Sequence, residues 1–428
     1  MGGAAPHVRP RPPGGSEPPV DLPHVSMRYL RLLAPILPLA LATRAGAQDG
    51  GLTLDVRGFA DFNYAATQRP GPSGFRDGQV AGHLIAGLTE KLTFFTEVSL
   101  TGRNDGAALE AERAFLRFDQ ADWLKLSVGR FHTPTSYWNT SYHHGSWLQT
   151  TAGKPEMVNG QRYFLPMHFV GAMAEGSRPA GPLELGYALG VGNGRSTNIM
   201  RGGDGGDVNA SRATVAATTL RLPRVTGVEM GASYYHDRVT PDASTDANEQ
   251  TLTGHVTRVT PTSEIIAEFA RIDHHSRRAA DAPVTRSRSF YVQLAHALPG
   301  AANAFKPYTR IERVRVPSTD VVFAPLKINY DGRIAGLRYD LAPMAALKLE
   351  YRGERVEFSR RLRTIAAQLS FTFPGGGMGG HDHEPTVAGE PEDGGAAHGG
   401  DHAGAHAGHG DDEHGDHGDH APQAARKG

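Results

Sequence analysis

The feature that most constrains this chain is a pattern of short alternating segments that recurs from Leu52 to Phe373. Each segment has about ten residues in which apolar and polar side chains alternate, and a turn or loop follows it. Because successive strand residues point to opposite faces, each strand would have one face suited to lipid and one suited to water. No apolar run in this region is long enough for a membrane-spanning helix, which needs about 20 residues. The pattern therefore predicts an all-β protein.

The number of these segments favours a barrel. Sixteen can be marked, and an even number of short antiparallel strands is typical of bacterial single-chain barrels. A soluble β-sandwich or propeller would alternate too, but most outward faces here are apolar and no blade-length repeat is visible. We expect a transmembrane antiparallel β-barrel of about 16 strands over residues 48–373. The segments are 52–64, 79–89, 92–101, 111–118, 123–130, 167–176, 183–192, 212–222, 227–238, 250–260, 263–273, 286–298, 305–315, 328–341, 346–358 and 362–373.

The first 47 residues have the composition of a targeting region. Residues 1–26 are rich in Pro and Gly, and we interpret them as a disordered extension or a mis-assigned start. Residues 27–47 have a basic beginning, an apolar run from Leu30 to Ala42 and an Ala-Gly-Ala cleavage site, which predicts a signal peptide. A membrane anchor is the alternative, but the run is too short and contains Pro35 and Pro38. Export to the outer membrane of a Gram-negative bacterium is the resulting prediction.

Composition excludes several other functions. The 44 Lys and Arg residues nearly balance the 45 Asp and Glu residues, so nucleic acid is not an expected partner. The chain has no cysteine, which excludes disulfides, thiolate metal sites and Cys nucleophiles. A hydrophobic content of 39% is low for a large soluble enzyme, but it suits a barrel in which one face of each strand is wet.

The most distinctive stretch is Leu124–Thr151, with the sequence LKLSVGRFHTPTSYWNTSYHHGSWLQTT. A strand ends at Gly129-Arg130-Phe131, and a long aromatic and polar segment follows. This segment resembles the Gram-negative porin family, particularly the sixteen-stranded phosphate-selective type, in which such a strand leads into a loop that folds into the lumen. The adjacent basic triplet that binds phosphate in that type is not evident here. The resemblance implies a long inward loop and, for porins of this size, a homotrimer.

Candidate pore-lining residues come from this segment and from the polar faces of the strands. Large side chains with hydrogen-bonding tips would narrow the lumen if the segment folds inward. Trp138 and Trp147 could instead belong to an interfacial aromatic girdle. His143 and His144 form a poor chelate, because adjacent strand residues point to opposite faces. The candidates are Arg57, Asp61, Glu97, Lys125, Arg130, His132, Tyr137, Tyr142, His143, Lys348, Glu350 and Arg352.

These features predict a porin that passes small hydrophilic solutes or anions by sieving and without chemistry. The expected partners are outer-membrane lipid and those solutes, and the barrel itself needs no cofactor. An outer-membrane hydrolase is one alternative, although the chain contains neither a Gly-x-Ser-x-Gly elbow nor an HExxH motif. A surface-binding barrel without a pore is the other.

Residues 374–428 form a separate segment rich in His, Asp and Gly. They contain almost no large apolar residues, so we expect a disordered tail. Neutral imidazole is a good ligand for zinc, nickel and copper, and flexible spacing lets several rings converge on one ion. The tail therefore predicts a divalent-metal site in the periplasm, and a solvated low-complexity tail is the alternative. The candidate ligands are His381, His383, His398, His402, His406, His409, His414, His417 and His420.

Overall fold

Sixteen antiparallel strands form one closed barrel in the computed structural model, which describes residues 52–68, 73–103, 106–142, 145–159, 164–197, 199, 203, 205–279, 281–357 and 361–373. The expectations for the signal peptide and for the tail after Phe373 lie outside these residues. The strands are β1 Thr53–Thr67, β2 Gly74–Thr89, β3 Leu92–Arg103, β4 Gly106–Ala121, β5 Leu124–His132, β6 His168–Ala180, β7 Leu183–Asn193, β8 Ala213–Arg221, β9 Val228–Val239, β10 Ala247–Val259, β11 Ser263–Ser276, β12 Thr285–His296, β13 Phe305–Arg315, β14 Tyr330–Ala342, β15 Ala345–Val356 and β16 Leu362–Phe373.

The barrel closes through the first and last strands. Each strand pairs with its neighbours in the sequence, and β1 pairs with β16 from Gly58 opposite Phe373 to Thr67 opposite Thr364. Closure leaves no unpaired strand edge, which the membrane interior requires of a sheet. The predicted sixteen-stranded transmembrane barrel is therefore confirmed.

Alternation sorts the side chains as the pattern predicts. On β1, Val56 and Phe62 are exposed on the outer face, whereas Phe59 and Asp61 are buried on the inner face. The last strand likewise exposes its apolar side. A belt of large apolar side chains surrounds the barrel, and its members include Leu116, Leu126, Val128, Leu189, Leu252, Phe269, Leu294, Ile311, Leu349, Ile365 and Leu369. Such a belt suits the hydrocarbon core of a membrane.

The two ends of the barrel differ in the length of their connections. One end has short turns, such as 90–91 between β2 and β3 and 343–344 between β14 and β15. The other has the longer loops, including 194–212, 277–284 and 316–329. Bacterial outer-membrane barrels keep their short turns in the periplasm and their long loops outside. We call these the short-turn end and the long-loop end.

Within the described residues, no helix is long and apolar enough to cross a membrane. The longest connection is residues 133–167, between β5 and β6. We call it the inward loop, because its side chains and backbone contact strands on the far side of the lumen.

Candidate functional site: the inward loop and the lumen

Near its end, β5 contains a glycine that cannot be replaced without strain. Gly129 has φ +145°, and a Cβ there would lie 2.2 Å from the carbonyl oxygen of Ala114. A non-glycine residue is strongly disfavoured in this conformation. Three residues later the strand gives way to the loop, and the chain turns into the barrel.

A short helix, α1 (Tyr137–Ser141), forms the first part of the inward loop. Ser136 precedes it in an extended conformation, and its hydroxyl accepts a hydrogen bond from the N–H of Asn139 at 3.3 Å. Serine is a favoured residue at this capping position, because its oxygen satisfies an N–H group that has no partner within the helix. The Asn139 amide then donates to the carbonyl oxygens of Thr133 and Met167 at 2.9 and 3.0 Å, and so joins the two ends of the loop.

The loop packs its apolar side chains against the barrel wall. Trp138, Val158 and Leu165 are at most 1% exposed, and they belong to one cluster with wall residues that include Ile266 and Tyr291. The apolar wall residues lie on the inner face of the barrel, where the loop shields them from water in the lumen. Burial of this size stabilises the loop by about 1.5–3 kcal/mol for each large side chain. The hydrophobic effect thus holds the loop inside the barrel.

Glu268 of β11 fixes the start of α1. Its carboxylate accepts hydrogen bonds from the backbone N–H groups of Tyr137 and Trp138, both at 2.9 Å. The hydroxyl of Tyr291 donates to the same carboxylate. Hydrogen bonds to a charged acceptor are about twice as strong as neutral ones, so this contact orients the helix relative to the wall.

Three further glutamates of the wall accept hydrogen bonds from later parts of the loop. Each lies on the inner face of its strand and is at most 6% exposed. They therefore contact the loop and not bulk water. Glu264 accepts from the hydroxyl of Thr150 (2.7 Å), Glu350 from the N–H of Ala152 (3.1 Å) and Glu312 from the N–H of Glu156 (2.6 Å).

Cationic wall residues bind the carbonyl groups of the same stretch. Arg310 is 1% exposed and donates to the carbonyl oxygens of Gly153 at 2.9 Å and Lys154 at 3.1 Å. The wall thus satisfies backbone groups that have no partner within the loop. Two other cations act in the same way: Arg338 donates to the carbonyls of Trp147 (2.7 Å) and Gln149 (3.0 Å), and Lys348 donates to those of Ser146 and Thr151.

These seven wall residues are the latch residues: Glu264, Glu268, Arg310, Glu312, Arg338, Lys348 and Glu350. They all lie on β11 and β13–β15. Their carboxylates mainly accept hydrogen bonds from N–H groups of the loop backbone, and their cations donate hydrogen bonds to its carbonyl groups. The loop is consequently fastened to one side of the lumen.

The opposite wall carries a separate polar network on β2–β5. Glu97 is buried and accepts from Arg113 at 2.6 Å and from His83 at 3.0 Å. Arg113 also lies over the ring of Phe95, with 4.5 Å between its guanidinium carbon and the ring centroid. The charges on this side are therefore paired with one another.

Two cavities lie beside α1, and both are lined by Thr140. One reaches β7–β10, where Ala188 and His255 line it; the other reaches β4–β6, where Arg113 and Glu175 line it. Both cavities lie on the side of the loop that faces away from the latch residues. The two cavities have volumes of about 40 and 10 Å³, so α1 does not pack tightly against strands β4–β10.

A buried network at the long-loop end covers the last part of the inward loop. Arg195 donates to the carbonyl of Phe164 at 2.7 Å and to Glu249 at 3.0 Å. His274 bridges Glu249 and Asp320, at 2.9 Å to each. Burial would raise the pKa of Asp320, but hydrogen bonds, first that from His274, outweigh it and lower the pKa to about 2. Asp320 is thus ionised at neutral pH and ties loop 316–329 to the barrel.

The structure places five of the predicted lumen residues around the loop. Asp61 accepts from the hydroxyl of Ser146 at 2.8 Å, and Glu97 belongs to the network on the opposite wall. Lys348 and Glu350 are latch residues with at most 2% exposure. Arg352 pairs with Glu350 and packs on Gly153, where a Cβ would lie 1.9 Å from its Nη2 atom. They face the lumen, but the loop covers most of them.

The other predicted strand residues are more scattered. Arg57 pairs with Asp55 at 3.0 Å near the short-turn end, and Lys125 lies near the same end. His132 is buried and lines one of the cavities beside α1. Arg130 lies on the outer face of β5, as Val128 does, and its Nε donates to the carbonyl of Glu112 at 2.8 Å. It therefore does not face the lumen.

Aromatic residues of the loop lie inside the barrel. Tyr137 and Tyr142 are buried with a ring-centroid distance of 5.9 Å. Trp138 is 1% exposed, and Arg338 lies over the ring of Trp147 at 5.8 Å. The girdle interpretation therefore does not hold for these two tryptophans. His143 and His144 lie outside the described residues, and within those residues no group of three or more His, Asp or Glu side chains is arranged to hold a metal ion.

The sequence interpretation missed most latch residues. Glu264 and Glu268 occupy inner positions of β11, and Arg310 and Glu312 do the same on β13. The available signal was charge at inner positions of strands whose inner faces also carry apolar residues such as Ile266 and Val314. That signal indicates a buried polar partner but does not say which segment supplies it.

Comparison with known proteins identifies the fold. No protein-family model matches the chain, and no curated protein is similar enough in sequence to count as a relative. Solved porin structures match: OmpF of Salmonella typhi in complex with daunomycin (13% identity, 75% of this chain and 97% of that chain, TM-score 0.51), the anion-selective porin from Comamonas acidovorans (10%, 76% and 100%, 0.51) and the outer membrane channel DcaP of Acinetobacter baumannii (10%, 76% and 99%, 0.51). At this level of identity the likeness shows the fold. The fold is that of outer-membrane porins, and together with the apolar belt it confirms the predicted Gram-negative outer-membrane barrel.

Proposed function

We propose that this protein is a porin through which small hydrophilic solutes, anions included, diffuse passively across the outer membrane. The inward loop supports this proposal most directly. It folds into the lumen and is fastened there by wall side chains, so it narrows a barrel of sixteen strands. A wide barrel restricted by a fixed internal segment sieves solutes by diameter.

The route we propose runs between α1 and strands β4–β10. The charges along it are largely paired: Glu97 with Arg113 on one side, and Glu229 with Arg221 at 2.7 Å on the other. Paired charges of opposite sign create little net field, so selectivity between anions and cations should be weak. Diameter and polarity would then decide which solutes pass.

Reconstitution tests this function. Purified, folded protein in planar bilayers should give stepwise conductance, and liposomes containing it should swell in small sugars faster than in large ones. Absence of conductance steps and of swelling, from protein shown to be folded, would contradict the proposal and favour the surface-binding barrel.

A hydrolase is less well supported. Among the described residues, side chains of Ser, His and Asp come together at Ser287, His274 and Asp320. Ser287 donates to Asp320 at 3.1 Å, and His274 uses one ring nitrogen for Asp320 and the other for Glu249. A serine nucleophile needs a base that faces its hydroxyl. No imidazole nitrogen does so here, and the arrangement is better explained as a support for loop 316–329.

The histidine-rich tail is proposed to bind divalent transition metals such as Zn, Ni or Cu in the periplasm. The nine histidines predicted as ligands, from His381 to His420, are accompanied by carboxylates such as Asp411 and Glu413. Carboxylates can add oxygen ligands or hold the second ring nitrogen of a histidine ligand. We therefore expect the full-length chain to bind Zn²⁺ and Ni²⁺ more tightly than a chain that ends at Phe373.

Calorimetric titration of both chains checks this prediction. Affinity should fall between pH about 7.5 and about 5.5, because protons compete for imidazole nitrogens with a pKa near 6.5. Equal binding by the two chains, or equal affinity of the full-length chain at both pH values, would refute the role of the tail.

We also propose a homotrimer, which the resemblance to porins supports. Chemical crosslinking of the protein in its native membrane should give a ladder that ends at three copies. A ladder that stops at one copy would contradict it.

A further inference from the structure

The outer surface of the barrel carries a group of arginines that a channel does not need. They lie on the lipid-facing side of β12–β16, close to the long-loop end. Because inner and outer residues alternate, Arg313 and Arg315 point away from the lumen while their neighbours Glu312 and Val314 point into it. The arginine patch consists of Arg288, Arg313, Arg315, Arg333, Arg355 and Arg363.

The patch begins abruptly where the apolar belt ends. The outer face of β13 runs from Ile311 to Arg313, and that of β16 runs from Ile365 to Arg363. A charge on the lipid-facing side is strongly destabilising at the membrane midplane but is tolerated near the interface. The position of the patch therefore matches the level of lipid head groups in the outer leaflet.

Other arginines on the outer face at this end are paired with carboxylates, Arg238 with Asp246 and both Arg271 and Arg286 with Asp273, and the outer faces of β7 and β8 carry no arginine here. The outer face of β7 ends with Leu189 and Val191, and that of β8 begins with Thr214 and Ala216. The patch is consequently local.

The arginines of the patch are poorly compensated. Asp331 is the one acidic residue on their face within β12–β16, and it pairs with Arg313 at 2.8 Å and Arg315 at 2.6 Å. Among the residues that the structure describes, Arg333, Arg355 and Arg363 have no carboxylate partner. The patch thus carries a strong excess of positive charge.

A groove runs through the patch. Gly353 lies opposite both Arg333 and Arg363 in the strand register. It is buried beneath Arg361, which donates to its carbonyl at 3.1 Å and lines the groove together with Arg333 and Arg355. Phe290 and Ile311 supply an apolar part of the groove lining, next to guanidinium groups. This combination suits a molecule that has both an anionic group and hydrocarbon.

We propose that the arginine patch binds a phosphate-bearing lipid of the outer leaflet. The planar guanidinium group binds phosphate oxygens in pairs, and several such groups at one level can share one head group. The apolar residues beside them would contact the acyl chains. A free phosphate ion would use the charges but leave the apolar lining exposed, so charge and shape together favour the lipid. The proposal rests on the membrane location and not on conduction.

Retention of defined lipids tests the proposal. The full-length protein is placed in phosphatidylcholine nanodiscs that contain either diphosphorylated lipid A or its dephosphorylated form, and native mass spectrometry measures the lipid kept after transfer to mild detergent. Diphosphorylated lipid A should stay bound, and the dephosphorylated form should not. Inorganic phosphate in excess should displace little of the bound lipid. Equal retention of both forms, or complete displacement by phosphate, would overturn the proposal.

A triple variant, Arg333→Gln, Arg355→Gln and Arg363→Gln, removes the unpaired charges of the patch. Each basic residue near an anionic lipid contributes about 1 kcal/mol, so binding should weaken about a hundredfold. The matched control is Arg258→Gln, an exposed outer arginine at the short-turn end, which should bind as the wild type does. Lysine at the same three positions should restore part of the binding.

The conductance of the triple variant should equal that of the wild type, since none of the three residues faces the lumen. Unchanged retention by the folded glutamine variant would exclude the patch as the lipid site. Loss of the native oligomer in that variant, with lipid binding unchanged, would show instead that the patch is a subunit interface. A variant that did not fold would leave the comparison of lipids on the wild type as the deciding result.

Discussion

Replacing Glu268 with alanine is expected to release the start of the inward loop and to increase the mean conductance and the current noise of the channel. Two backbone N–H groups, those of Tyr137 and Trp138, lose their charged acceptor. Hydrogen bonds to a charged group contribute about 1.5–3 kcal/mol each. The interaction that holds α1 against the wall would therefore lose about 3–6 kcal/mol. Single-channel recording in planar bilayers measures the effect.

The controls separate this role of Glu268 from a general loss of charge. Glu268→Gln keeps one acceptor oxygen and should have an intermediate effect. Glu184→Ala removes an inner carboxylate at the short-turn end, where it is 34% exposed and far from α1, and should leave the noise unchanged. Conductance of Glu268→Ala that is indistinguishable from the wild type would contradict the latch assignment.

Arg310→Met should lower the free energy of unfolding by about 3–5 kcal/mol, the usual loss when one partner of a buried charged network is removed. Its guanidinium donates to the carbonyls of Gly153 and Lys154 and lies 3.4 Å from Glu312. Methionine fills similar space but cannot donate to the two carbonyl groups. Denaturant unfolding of the detergent-solubilised barrel measures the loss.

The matched control is Arg221→Met. Arg221 also faces the lumen and pairs with Glu229 at 2.7 Å, but 38% of its side chain is exposed. A partly exposed pair contributes about 0–1 kcal/mol, so the control should change stability little. If the two substitutions lowered the free energy of unfolding equally, the contacts of Arg310 with the loop would contribute no more to stability than an exposed ion pair does.

The strands were predictable because their signal is local. In β16 the outer residues Ile365 and Leu369 alternate with the inner Gln368 and Ser370, and this alternation suffices to identify the strand and its faces. Boundaries were less predictable. The structure extends β4 to Gly106–Ala121, beyond the predicted 111–118, since Gly106 and Ala107 carry almost no side-chain signal while their backbone pairs with β3.

The inward loop was predictable in position but not in its contacts. A strand that ends at Gly129 and an aromatic segment without alternation indicate where the chain leaves the sheet. The partners of that segment lie far along the chain: Glu268 is 130 residues beyond Trp138. Such contacts depend on barrel closure, which brings β11 and β13–β15 to the other side of the lumen, and no pattern near Trp138 contains that information.

The assignment of the outer arginines also depends on information that the local sequence does not contain, namely the strand register. Alternation alone assigns Arg313 and Arg333 to the outer face once the register is known. A shift of one residue would have placed them in the lumen, where they would have been interpreted as selectivity residues. The structure supplies that register through the pairing of Ile311 with Arg333.

The central claim is that solutes pass between α1 and strands β4–β10. The chain contains no cysteine, so a single introduced thiol is a unique target. Thr140→Cys places it on α1, beside both cavities, whereas Leu189→Cys places it on the lipid-facing surface. A bulky, positively charged methanethiosulfonate reagent should lower the conductance of the Thr140→Cys channel in steps and leave the Leu189→Cys channel unchanged. Full conductance of Thr140→Cys after mass spectrometry has shown complete labelling would contradict the route.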